Sequence, residues 1–199
     1  VAMFVLGSFR SEPWGDSAAF WTLRGYIEAY SDWYTWKLVG NTLLIGGLAW
    51  AGIMAVSVLF AWLVTRTDVP FKPVIEALAI APYFLPAVVS GVSWSILGNP
   101  RNGLINTWVS GLIGTDVTVV NIYSHVGIAF VLMTYIAPMA YILLVPLFRA
   151  VDSGLEEAAH MSGAGTWQAL RRVTLPVLMS GIMGIGLLLG IKALETFEV

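Results

Sequence analysis

Four stretches of this chain carry no Asp, Glu, Lys or Arg, and their lengths dictate what it can fold into. They hold 28 residues between Lys37 and Arg66, 24 between Glu76 and Arg101, 32 between Asp116 and Arg149, and 19 between Arg172 and Lys192. A helix of roughly 20 apolar residues crosses the ~30 Å hydrocarbon layer of a bilayer. A soluble core could bury one such run, but four of them in 199 residues point to membrane spans. The sequence therefore reads as all-α, a polytopic transmembrane helix bundle. Its four full spans lie near Val39–Val64, Val74–Leu97, Ile122–Leu147 and Pro176–Leu194, and Val1–Leu6 reads as the stump of a truncated first span. No basic segment precedes that stump, which argues against a secretory signal peptide. The chain opens on Val1 and stops at Val199 beside apolar runs, so residues 1–199 read as one transmembrane domain cut at both ends.

Composition narrows the function classes. The chain is 58% hydrophobic and 11% charged, against roughly 25% charged in a soluble domain. That excludes an ordinary soluble domain, a disordered chain and a nucleic-acid binder with a basic patch. With no cysteine there is no disulfide, thiolate metal site or Cys nucleophile. The three lysines, Lys37, Lys72 and Lys192, follow Trp36, Phe71 and Ile191. None follows glycine, so this chain carries no P-loop. His125 and His160 are too far apart in sequence for a helical metal pair. Glu156 and Glu157 point about 100° apart on a helix and read as a solvated face. No cofactor site emerges, and the chain does not read as an enzyme.

The loops have sides. Thr65–Pro73 and Arg149–Thr174 carry Arg66, Lys72, Arg149, Arg171 and Arg172, and the positive-inside rule assigns them to the cytoplasm. Phe9–Lys37 and Gly98–Asn121 then lie outside. Trp14, Trp21, Tyr26, Tyr30, Trp33, Tyr34 and Trp36 suit either an interfacial aromatic belt or an external subdomain. Gly103–Ile113 reads as a short interfacial helix. Pro82 and Pro86 break the second span and Pro138 the third. Such breaks either kink a packed helix or mark a translocation path. Gly186 and Gly190, four apart, permit close helix approach.

The long basic loop is the most informative segment. Ser153-x-x-Glu156 reads as a capping box opening a helix. Val151, Leu155, Ala158, Ala159 and Ser162 fall on one small apolar face, with Asp152, Glu156, Glu157 and His160 elsewhere. Gly163 stands where a left-handed residue would end that helix. Thr166 reads as the N-cap of a second short helix, with Gln168 one residue too early to complete a capping box. That helix carries Trp167, Leu170 and Val173, and Pro176 fits the first turn of the last span. Two capped helices with apolar faces outside the lipid call for cover, from a partner or from the protein's own end.

Glu157-Ala158-Ala159, then Gly163, then Val173-x-Leu175-Pro176, resembles the EAA loop of type I ABC importer permeases with the MetI-like fold; Val173 replaces the usual Ile. Asn41-Thr42-Leu43 and Ala61–Asp68 also resemble that family. Asn99–Asn106, Asn121–Ser124 and Ala193–Val199 are similar to the amino-terminal half of ferric-iron-type permeases. The resemblance implies a multi-pass permease in a prokaryotic plasma (inner) membrane. Its partners would be ATP-binding-cassette ATPase subunits, a second permease half or subunit, and a periplasmic substrate-binding protein. It would move ferric iron, or alternatively polyamine, phosphonate or sulfate, by alternating access. Residues 149–174 would form the cytoplasmic coupling loop, with Glu157, Ala158, Ala159, Gly163, Leu175 and Pro176 coupling to the ATPase. ATP hydrolysis would belong to the partner.

Lys192 and Glu195 are the ionisable groups attached to the last span. They read either as a substrate-path pair or as a snorkelling pair at the outer edge. No Tyr, His or carboxylate cluster chelates iron here, so metal selection would fall to the binding protein. Two other classes compete. A secondary transporter or channel would leave the capped loop unexplained, and a membrane-embedded enzyme would need reactive groups that are missing at membrane depth.

Overall fold

A computed structural model describes residues 2–9 and 20–195. The chain divides into two compact units, Val1–Leu43 and Leu44–Val199. The first unit holds α1 (Ala2–Gly7), α2 (Arg24–Ser31) and the beginning of α3 (Trp33–Arg66). Within it the Ser8 and Tyr26 hydroxyls lie 2.6 Å apart, and the Trp36 indole donates to the Tyr30 carbonyl at 2.9 Å. The Phe9–Lys37 stretch expected as a loop is thus partly helical. Trp21, Tyr26, Tyr30, Trp33, Tyr34 and Trp36 are exposed. Trp14 falls outside the described residues.

The second unit is built from the rest of α3, α4 (Lys72–Ile80), a 3-10 turn (Ala81–Phe84), α5 (Ala87–Leu97) and α6 (Leu104–Ile113). It continues through α7 (His125–Arg149), α8 (Ser153–Met161), α9 (Thr166–Ala169), a π-helical turn (Leu170–Thr174) and α10 (Leu175–Glu195). Among the described residues three helices are long and apolar enough to cross a membrane: Trp33–Arg66, His125–Arg149 and Thr166–Glu195.

The expected span Val74–Leu97 is a pair of helices, Lys72–Phe84 and Ala87–Leu97, bent by 106°. Pro82 cannot donate to the ladder, and Pro86 forces Leu85 into extended backbone (φ −86°, ψ 131°), so the axis turns. Pro138 does not interrupt the third span. Helix α7 runs unbroken through both Pro138 and Pro146. Pro138 is buried, and packing on neighbouring helices holds it in line. The short helix expected at Gly103–Ile113 forms as α6.

Helices α3, α7 and α10 make the core, with α7 at its centre. Of its most apolar window 44% is buried, against 22% in the other two long helices. One buried cluster joins Ala49 and Ile53 of α3 to Ala129, Leu132, Ile136 and Ala140 of α7 and Leu189 and Ala193 of α10. A second joins Ala61 to Tyr141, Leu144 and Phe148, with Val151, Leu170 and Leu178. Alanine recurs at these contacts because lipid supplies no hydrophobic drive between helices; close backbone approach and dispersion hold them instead. Gly186 and Gly190 serve that end, since the Trp50 ring lies against both. Its indole N–H donates to the Gly186 carbonyl at 2.7 Å.

Candidate functional site

The basic loops converge at one end of the bundle. Helix α3 ends at Arg66. Arg66 Nη2 donates to the Phe148 carbonyl at 2.5 Å and to the Val151 carbonyl at 2.6 Å, which ties α3 to the end of α7. A cation here also meets the negative end of the α7 dipole. Arg149 reaches Glu76 of α4 at 3.3 Å. Trp62 and Trp167 meet edge to face, their centroids 6.3 Å apart, which brings α9 against α3.

Helix α8 starts one residue earlier than the capping-box reading requires. Ser153 is its first helical residue, and Asp152 is the N-cap, its Oδ1 accepting the Gly154 N–H at 2.9 Å. At the other end the bend is a Schellman motif. Gly163 N–H donates to His160 O at 2.9 Å, and Ala164 N–H to Ala159 O at 3.0 Å. Gly163 has φ +84°, and a Cβ there would meet nothing within 4 Å. Its requirement for glycine comes from the left-handed backbone rather than from crowding.

The face assignment of α8 needs correction. Glu156 is not solvated. Its side chain is 16% exposed, its Oε1 accepts the Thr174 hydroxyl at 2.5 Å, and its Oε2 lies 3.7 Å from Arg66 Nη1. Ala159, one turn on, is half-buried on the same side. Glu157, Ala158, Leu155 and Met161 face outward. Val151 is buried in the core rather than on that outer face.

Helix α9 is capped by Gly165, not Thr166. Gln168 therefore stands at the third helical position, where its Oε1 accepts the Gly165 N–H at 3.3 Å. No break separates this helix from the last span. Leu175 N–H donates to Leu170 O, five residues back, so a π turn joins α9 to α10. The proline of Leu175-Pro176 supplies a reason: it has no N–H to continue the ladder, and a widened turn accommodates its ring. Leu175 is half-buried and Pro176 exposed.

The remaining candidates lie apart. Lys192 Nζ is 3.8 Å from Glu195 Oε2 near the far end of α10, with both side chains more than half exposed. A cavity of about 300 Å³ borders the Pro82 bend, lined by Ser57, Phe60, Leu78, Thr134, Pro138 and Tyr141. Sequence reasoning missed Arg66, Thr174 and Asn106. Asn106, 5% exposed, holds the loop beyond α5. Its Nδ2 donates to Asn99 O and Val120 O, and its Oδ1 accepts the N–H groups of Val119 and Val120.

With this geometry in place, comparison with known proteins is decisive on family. Residues 47–196 match the family of binding-protein-dependent transport system inner membrane components. The chain belongs to that family. This permease chain is 24% identical over 185 residues to the spermidine/putrescine transport system permease protein PotB of Haemophilus influenzae, covering 89% of its own length and 62% of the relative's. It is 30% identical over 135 residues to the sulfate transport system permease protein CysW of Escherichia coli, covering 68% of its own length and 44% of that protein. It thus spans less than two thirds of these curated relatives. In fold it is similar to a chain of a bacterial ABC transporter involved in import of the acidic polysaccharide alginate, with TM-score 0.78 and 18% identity over 98% of this chain and 67% of the other. As a family member with several apolar helices, it is a multi-pass inner-membrane component.

Proposed function

We propose that this chain is a membrane subunit of an ATP-driven importer, and that α8 and its Schellman bend form the docking element for a separate ATP-binding-cassette ATPase. The observation that carries the reading is the outward face of α8. Glu157 and Ala158 stand exposed beside Leu155 and Met161, on a helix ended by a left-handed glycine, within a chain of the importer permease family. Small residues admit close contact, and Glu157 supplies a charge for a basic partner. Ala159 and Gly163 set the shape of this element, and Leu175 and Pro176 join it to the last span. ATPase closure would displace α8 and bias the bundle between inward- and outward-facing states. A second permease half and a periplasmic binding protein complete the assembly, the latter in keeping with a structural neighbour of 19% identity and TM-score 0.70 solved with its pentasaccharide-bound periplasmic protein.

The relatives are named for spermidine/putrescine, sulfate and molybdenum. Ferric iron, suggested by the Asn99–Asn106, Asn121–Ser124 and Ala193–Val199 segments, finds no specific support among them. It stands as one candidate cargo beside these. Lys192 and Glu195, paired and exposed, fit a snorkelling pair at the membrane edge better than a substrate path. Co-purification tests the docking reading. Glu157→Lys is expected to insert in the membrane but lose the ATPase and uptake. Full retention of both in Glu157→Lys overturns it.

A further inference from the structure

Docking alone does not explain how a pushed α8 moves the membrane helices. No residue of α8 belongs to either buried apolar cluster among the described residues. A helix that receives force on its outer face must still be attached on its inner face, or it would swing on its two connecting loops and move nothing else. Its polar attachment to the bundle is Glu156. One oxygen of that carboxylate accepts the hydroxyl of Thr174, which is fully buried in the π turn at the root of α10. The other faces Arg66 Nη1 on the last residue of α3. The same guanidinium grips the carbonyls of Phe148 and Val151, at the end of α7 and the start of the linker to α8.

We infer that Arg66, Glu156 and Thr174 form an inner clamp that carries displacement of α8 into α3, α7 and α10 together. Arg66 is its positioning residue. The inference rests on the proposed docking of α8 and adds the path by which force enters the membrane helices.

Three observations support it. The clamp is nearly out of water: the Arg66 and Glu156 side chains are 9% and 16% exposed. Charged hydrogen bonds in such a place are strong and directional, whereas apolar contacts slide. The π turn also has a use here. One extra residue per turn rotates the downstream helix by about 100°, and this turn is the segment that presents Thr174 to Glu156. Finally, Arg66 Nε is buried without a partner, and Glu156 stands off from Nη1 at 3.7 Å. At 3.7 Å Nη1 makes no hydrogen bond to Glu156, so it holds a donor that the carboxylate can take up when α8 shifts. A purely structural arginine would be expected to be saturated.

The test uses the whole importer, with ATPase and binding protein, reconstituted in proteoliposomes. It reads ATPase co-purification, ATP hydrolysis and uptake per ATP hydrolysed, with labelled spermidine, sulfate, molybdate and ferric iron each offered as cargo. For Arg66→Lys and Glu156→Gln the ATPase is expected to co-purify as with the native chain. Hydrolysis should continue, and uptake per ATP should fall about tenfold, the scale of a typical coupling energy between sites. Thr174→Val, which keeps shape and burial, should lower the same ratio by a smaller factor. Because the residues act as one unit, Arg66→Lys with Glu156→Gln should lose no more than the worse single variant. An unchanged ratio in all three single variants, or losses that multiply in the double variant, would overturn the clamp while leaving docking intact. A native chain that holds no ATPase would overturn docking and the clamp with it.

Discussion

Each end of the bundle has a polar side chain that ties several backbone groups together, Asn106 at one and Arg66 at the other, and the two anchors are built on opposite plans. At the end carrying the α5–α7 loop, Asn106 is neutral and saturated, with two bonds given and two accepted, all at 2.7–2.9 Å. At the basic end, Arg66 is charged and unsaturated. It makes two short bonds to carbonyls and one long approach to a carboxylate, and its buried Nε–H has no partner. A saturated amide has no lower state to move to, so it fixes a loop. An unsaturated fork has alternatives close in energy, which suits a joint that must change shape. The contrast makes one end a fixed frame and the other a moving part.

The largest expected effect comes from breaking the frame. Asn106→Ala leaves the Val119 and Val120 N–H groups and the Val120 carbonyl without their partner, while Asn99 O keeps the N–H of Gly103. The cost should be about 3 kcal/mol, given roughly 1–3 kcal/mol for each unmet group and incomplete additivity. A thermal unfolding midpoint in detergent should fall steeply, and proteolysis within 99–121 should speed up. Uptake should fall only in step with the loss of folded protein. A separate loss of uptake at full stability would move Asn106 into the transport machinery.

Breaking the moving part should look different. Arg66→Lys keeps the charge and one or two donors, so its stability cost should be about 1 kcal/mol. Uptake per ATP should nonetheless drop about tenfold, the scale of a coupling energy. If unfolding measurements instead show Arg66→Lys to be as damaging as Asn106→Ala, the basic end is a second frame and the contrast fails.

How much of this was legible in the residues depends on what each feature rests on. Spans need only composition and length, so α3, α7 and α10 stood out. The break of Val74–Leu97 at Pro82 and Pro86 was legible, but its 106° bend was not, because hydropathy is blind to direction. Pro82 and Pro86 were visible, but so was Pro138, which α7 tolerates. Which way a proline acts is decided by its neighbours in space. The Schellman bend at Gly163 was legible because it is local. The inward turn of Glu156 was not. Glu156 and Glu157 sit about 100° apart whichever residue caps the helix, and only distant partners, Thr174 and Arg66, decide which of them turns inward. Arg66 could have been suspected as a cation closing an apolar run, yet nothing local ties it to a carboxylate about 90 residues further along the chain.

A third break probes α8 itself. Gly163→Ala places a Cβ at φ +84° with open space around it, so only backbone strain opposes it, about 1 kcal/mol. Uptake should fall modestly, and the ATPase should still co-purify. Complete loss of uptake in Gly163→Ala would mean the bend moves through conformations that glycine alone can reach, a stronger role than the static turn requires.

The smallest effect sharpens the comparison by reversing sign. Both ends contain a left-handed residue in the turn beside a short helix. The saturated end gives that position to glycine, Gly114 at φ +76°; the basic end does the same at Gly163, φ +84°, but forces Phe71 into it at φ +59°. A bulky residue there carries roughly 1–2 kcal/mol of strain. Phe71 is also 78% exposed, so little packing within the chain offsets that strain. Phe71→Gly relieves it but adds freedom to the unfolded chain, worth roughly 0.5–1 kcal/mol against folding. The net should be a stabilisation of about 0.5 kcal/mol, read as a small rise in the unfolding midpoint. Backbone strain that persists where it could be removed marks places that move or bind. A more stable Phe71→Gly protein with slower uptake would therefore place the α3–α4 turn, beside Arg66, within the moving part. Equal uptake would confine the moving part to the clamp and α8.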